Sequence, residues 1–308
     1  MLAATPELEA ETVDASVNRV FQEVAFDNGQ SRATIDIGST GELTLESISD
    51  PTEEFSLTFL DPLGDSTLDP RVHGNIVEYS QDDRYSSVPV IREDGSVQAH
   101  TVIHSPSAPT EYTYSLDIPA GATVERAGES LLILDERGGM IGGVAPAWAK
   151  DANGDDVPTY YEIDGTTLTQ VVHHETTSSY PVVADPWMGI NLFGHVYKDT
   201  YRNQPRVNAN LSPWGWAVYT GAATGINLTR GQIILHTNGL AEVLSRGQDI
   251  RDAFRGRKSM YQQYSCHALG ALLAGEWNLE RSRPTLTVPW TKDVLKHHCN
   301  WNFPDGRV

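Results

Sequence analysis

A chain of 308 residues with 39% hydrophobic side chains is long enough for more than one core, since cores typically take roughly 100–200 residues. It contains no long apolar run, which excludes a helical membrane span. Its net charge of -19 is unevenly spread: residues 187–308 carry 14 Lys/Arg and 8 Asp/Glu, a balance of +6, leaving 8 basic and 33 acidic residues before them, a balance of -25. So acidic a half repels phosphate and argues against nucleic-acid binding by the whole chain, while the basic half can meet an anionic surface or polymer.

Residues 1–18 open with an acidic stretch poor in apolar side chains, the composition of a disordered N-terminus. The first residues lack the charged start and apolar stretch of an export leader. Residues 19–186 read as a β-rich acidic domain. Apolar and polar residues alternate on both sides of a glycine turn over 33–46, as in a hairpin. Residues 55–60, 110–118 and 130–142 continue the pattern, and 160–172 form a second pair around Asp164-Gly165. Many short strands separated by turn signals predict an antiparallel, sandwich-like domain with no helix of length.

After 180–187 (YPVVADPW) the pattern changes, and residues 187–308 predict a smaller α+β domain with two or three terminal helices. Residues 214–219 and 232–236 read as strands. A helix follows, with Leu240, Val243, Leu244, Ile250 and Phe254 along one face, Thr237 or Asn238 as cap and Gly256 as stop. Ser259 and Gln262 have the spacing of a capping box for the next helix, which stops near Gly275. A last helix is predicted after Pro289, capped by Thr291 and running to Cys299.

The chain's two cysteines, Cys266 and Cys299, allow two readings. A bridge between them would fix the last helix to the body of the domain and close a loop of about 34 residues. Alternatively, Cys266 in the first turns of its helix is a thiolate nucleophile with His236, His267 or His298 as base. The bridge is the expected state, braced by Trp277-Asn278 and Arg281/Arg283-Pro284. His267, His297, His298 and the cysteines are also suitable metal ligands, but no paired spacing of a zinc site is present, so no metal or other cofactor is expected.

One loop places oxygen ligands in the order of a calcium site: Asp151, Asn153, Asp155 and Glu162 occupy positions 1, 3, 5 and 12. Asp156 at the glycine position, Pro158 inside the loop and strands on either side depart from that pattern, and a hairpin explains the same residues. Arg255, Arg257 and Lys258 form a compact basic cluster between two helices. It suits an anionic polymer, a trypsin-like protease, or simple solvation. Most of the tryptophans lie in the C-terminal half, as sugar-stacking platforms or, better, as core.

Residues 143–159 (GVAPAWAKDANGDDVPT), 160–172 (YYEIDGTTLTQVV) and 180–187 together resemble the N-terminal region of secreted, uncharacterised actinobacterial proteins. Residues 259–267 (SMYQQYSCH), 277–284 (WNLERSRP) and 299–301 (CNW) resemble the C-terminal domain of unknown function that many of them carry. The family's tail usually ends soon after the cysteine, whereas here residues 301–308 continue. The resemblance implies export and an extracellular or cell-envelope location, with the leader absent from this sequence; it implies no catalytic residues. The expected function is therefore a non-enzymatic binding protein that meets an anionic polymer or envelope component through its C-terminal basic face. The alternative is a secreted hydrolase or toxin-like effector whose acidic N-terminal domain masks the basic one or assists its folding.

Overall fold

The computed structural model describes residues 16–18, 22–38, 41–50, 52–60, 69–73, 76–176, 179–220, 230–270 and 275–308. The predicted disordered N-terminus lies outside them except for Ser16–Asn18. The chain divides into two compact units, Met1–Asn191 and Leu192–Val308. No helix among the described residues is long and apolar enough to cross a membrane.

The first unit is made of two antiparallel sheets packed as a sandwich. Among the described residues one has eight strands, in the spatial order Ser16–Asn18, Glu23–Asp27, Ser31–Asp36, Glu42–Ser47, Glu54–Leu60, Glu111–Asp117, Thr167–Val172 and Thr159–Asp164. The predicted 33–46 hairpin is present, with Ala33↔Leu45 and Ile35↔Leu43 in register. These four side chains are buried because period-two alternation sends them all to one face, while Arg32 is exposed on the other. The second hairpin closes at Asp164↔Thr167, with Gly165 in the left-handed conformation its turn requires.

The other sheet has ten strands among the described residues. Val97–Ile103 and Tyr85–Ile91 lie near its middle and are buried along their whole length. Thr123–Ala127, Ser130–Leu134 and Met140–Val144 form one wing, and Ile76–Asp82 with Asp69–His73 the other. Inner faces of both sheets share one apolar core, in which Phe59 of the first sheet meets Tyr79 of the second at 5.8 Å between ring centroids. Gly142 has no side chain where the ring of Phe55 approaches, and a Cβ there would overlap it. This unit continues past the expected boundary at 186, because Trp187–Gly189 is still a strand, pairing Met188 with Val144 and with Val97.

The second unit combines a three-stranded sheet, Phe193–Tyr201, Gln204–Leu211 and Trp277–Glu280, with short helices. Two segments expected as strands are helical. Residues 214–219 lie in the helix Pro213–Thr220, where the Ser212 hydroxyl accepts from Gly215 N at 2.8 Å and Pro213 takes the first helical position. That cap, together with burial of Trp214 and Val218 one turn apart, outweighs the strand preference of aromatic and β-branched residues. Residues 232–236 belong to a helical run, Arg230–Ile234, that passes through a π turn, Leu235–Gly239, into Leu240–Ser245. Inside this run Thr237 is no cap: its hydroxyl bonds back to Ile233 O at 2.9 Å. The π turn leaves the Leu235 carbonyl to accept from Tyr264 at 2.6 Å.

The helix Gln248–Phe254 follows, and Gly256, at φ +68°, stops it as expected. The next helix runs Lys258–Gly270; residues 271–274 of its expected extension lie outside the described residues. Here the capping-box reading fails, because Ser259 is already inside the helix and Gln262 is engaged elsewhere: its amide accepts from Leu286 N at 2.8 Å and donates to Leu286 O at 3.2 Å. The last helix is a single turn, Val294–His297, preceded by Asp293 rather than capped by Thr291. It ends before Cys299 because His298 and Cys299 both adopt left-handed backbone angles.

Candidate functional site

The 296–301 stretch (KHHCNW) and the 264–267 stretch (YSCH) meet in the interior of the second unit. Cys266 and Cys299 are bonded, with Cα atoms 5.5 Å apart, and both are fully buried. Cys266 stands ninth in its helix, far from the N-terminal amides that would favour a thiolate. The bridge leaves no free cysteine to act as nucleophile or ligand.

The four candidate histidines do not converge. His297 is buried, and both ring nitrogens are in use: Nε2 donates to Trp290 O and Lys292 O at 3.0 and 3.1 Å, and Nδ1 accepts from Cys299 N at 3.0 Å. His298 is exposed on the left-handed turn. His267 is buried and stacked on Trp277, with centroids 5.5 Å apart and planes at 13°. Neither of its nitrogens has a partner among the described residues, and burial pushes its pKa down to about 4. Among the described residues no group of three or more His, Cys, Asp or Glu is placed to hold a metal ion.

His236 pairs with Ser265 instead of a cysteine, Nε2 to Oγ at 2.9 Å. That is the first distance of an activated serine. The remaining requirements are not met among the described residues: no side chain orients the other ring nitrogen, and Ser265 sits mid-helix, where backbone amides are committed to the helix and offer no oxyanion hole. The contact serves to join the π turn to the long helix.

A titration follows from His267. Its pKa in the folded chain lies below its ordinary 6.5, so between pH 6.5 and 4 the unfolded chain binds a proton that the folded chain refuses. Stability is present above pH 6.5 and lost as pH falls towards 4. Glu242 acts in the opposite direction, since burial raises its pKa against the charge of Arg246 and the amides of Phe193 and Leu192. Urea unfolding at pH 7 and 4.5 therefore compares the natural chain with His267→Phe. The natural chain should lose about 2–3 kcal/mol more over that interval, and equal losses would refute the assignment.

The calcium-like loop is a turn closed on itself. The Asp151 carboxylate accepts from the backbone of Asn153 and Asp155 at 2.8 and 3.1 Å, while Asn153 donates to Ser179 at 2.7 Å. Lys150 and Asp156 form an ion pair at 2.8 Å across it. Glu162 lies on the strand Thr159–Asp164 and is exposed, so the four oxygen donors are not brought together. Asp185, which the sequence analysis did not single out, ties this region together. Fully buried, it accepts from Trp148 N at 3.1 Å and Tyr161 Oη at 3.3 Å, and burial raises its pKa well above the usual carboxylate range.

The second unit also presents a charged surface. Seven of the second unit's eight carboxylates are in ion pairs: Asp199, Glu242, Asp249, Asp252, Glu280, Asp293 and Asp305. The eighth, Glu276, accepts from Tyr197 at 2.9 Å and Asn210 at 3.1 Å. Surplus cations gather where the helix Gln248–Phe254 turns into Lys258–Gly270. Lys258 is exposed and Arg257 half-buried, and neither side chain has an ion-pair or hydrogen-bond partner among the described residues. Arg255 lies beside them, paired with Asp252 at 2.9 Å. Arg281, which sequence reasoning placed only as a brace, enters from the end of the third strand and donates to Arg255 O at 3.1 Å and to Ala253 O. The C-terminal carbonyls of the first helix thus hold a fourth cation in the patch.

Comparison with known protein families, curated proteins and solved structures finds no match to this chain. The reading of the surface rests on its own chemistry.

Proposed function

We propose that the protein is a secreted or envelope-associated, non-enzymatic binding protein that holds an anionic polymer on the basic patch Arg255, Arg257, Lys258 and Arg281. The observation that carries this reading is the charge left over. With the carboxylates of the second unit already engaged, the side chains of Arg257 and Lys258 have no counterion among the described residues. A linear polyanion gains affinity at such a patch by releasing its condensed counterions. The buried disulfide supports an extracellular location, since such bonds persist in oxidising compartments.

The full chain should bind linear polyphosphate or polygalacturonate at about 50 mM salt and release it steeply by about 200 mM, as read by fluorescence anisotropy of the labelled polymer. Unchanged anisotropy with both polymers at low salt would contradict the proposal. So would affinity that does not respond to salt.

A further inference from the structure

We infer that the patch selects an acidic polysaccharide, a polymer of carboxylated sugar rings, over a bare polyphosphate; this rests on the polyanion reading above and adds the ligand's chemical class. Tyr261 supplies the contact that tells the two ligands apart. It is one of the large apolar side chains left exposed in this unit, at 40% of its surface. On the helix Lys258–Gly270 it lies three residues after Lys258, so the ring and the ammonium share one face one turn apart. Its ring packs edge-on against Phe254, with centroids 5.2 Å apart and planes at 69°. Phe254 belongs to the helix end whose carbonyls hold Arg281, and Arg255 and Arg257 come one and three positions after it.

The patch therefore sets one supported aromatic ring beside Lys258, against the helix end that leads into Arg255 and Arg257. A phosphate chain uses only the cations. A uronate presents both a carboxylate and an apolar face of C–H groups on the same residue, and that pairing fits both halves of the patch. Arginine forks match carboxylates with two hydrogen bonds. A tyrosine ring already held by its neighbour supplies contact area at little further cost in conformational freedom.

The test compares labelled hexagalacturonate with linear polyphosphate of matched charge on the full chain. Variants are Tyr261→Ala, Tyr261→Phe and the double variant Arg257→Gln/Lys258→Gln. Tyr261→Ala should weaken hexagalacturonate binding about five- to tenfold, the effect of losing an aromatic anchor, and leave polyphosphate binding unchanged. Tyr261→Phe, which keeps the ring and its contact with Phe254, should retain hexagalacturonate binding and so separates lost stacking from misfolding. The double variant should weaken both ligands. If Tyr261→Ala leaves both affinities unchanged, or lowers both equally, the saccharide inference is overturned while the polyanion reading stands. If neither ligand binds the natural chain, both fail.

Discussion

Replacing Arg283 by methionine is expected to destabilise the second unit by about 3–5 kcal/mol. Arg283 and Glu280 form an ion pair whose side chains are only 9% and 6% exposed. The guanidinium also donates to Asn302 and reaches Trp301 O at 3.4 Å, so it holds the chain's end against the third strand. Methionine fills comparable space but leaves the Glu280 carboxylate buried without its counterion. Arg206, opposite Glu280 in the sheet, is already engaged by Asp199. Converting both residues, Arg283→Met with Glu280→Leu, should recover most of the loss, because an apolar pair needs no compensation for desolvation. Urea midpoints of the single and double variants decide it. A single variant within about 0.5 kcal/mol of the natural chain would mean that the pair is solvated.

Loss of the Cys266–Cys299 bridge comes next in size. The half-cystines are 33 positions apart, and freeing a loop of that length returns about 3–4 kcal/mol of chain entropy to the unfolded state. Set against a typical net stability of about 5–15 kcal/mol, this is a large share. The effect should be strongest in the last residues, where the one-turn helix and its left-handed exit have little regular structure of their own. Trp301 Nε1 would still donate to Pro284 O at 2.6 Å, and Gln262 would still hold Leu286, so the tail should loosen rather than detach. Cys266→Ser/Cys299→Ser should lower the urea midpoint accordingly and speed amide exchange over residues 294–301. An unchanged midpoint with unchanged exchange would contradict the assigned role.

The β-rich fold was legible because its information is local. Alternation at Ala33, Ile35, Leu43 and Leu45 names the buried face, and Gly165 names a turn. The two segments expected as strands were misleading because aromatic and β-branched residues mark burial in either geometry. The Ser212 cap and the Tyr264 bond to Leu235 favour helix there, and the second of these is a long-range contact. Gln262 shows the same limit: its spacing from Ser259 fits a cap, yet its amide is used by Leu286, 24 positions away.

Several polar and aromatic residues of the second unit's tail knit its architecture. Gln263 exchanges hydrogen bonds with Glu280 in both directions, at 2.8 and 3.0 Å. Asn300, with its amide nitrogen turned towards them, donates to Gln263 Oε1 and Asn278 O at 3.1 Å each. Trp277 packs against Phe193, Tyr264 and His267. Chemical suitability for catalysis and suitability for such a knot look identical in sequence, since both need polar side chains that bond specifically. The basic patch was only half legible: Arg255, Arg257 and Lys258 are contiguous, whereas Arg281 and Tyr261 join them through the fold.

The most direct test of the binding account is the salt dependence of affinity for polygalacturonate, measured for the natural chain and for Arg257→Gln/Lys258→Gln. The slope of log affinity against log salt should become shallower by roughly one for each cation removed, about two in all. An identical slope in the two proteins would place the polymer elsewhere and contradict the account.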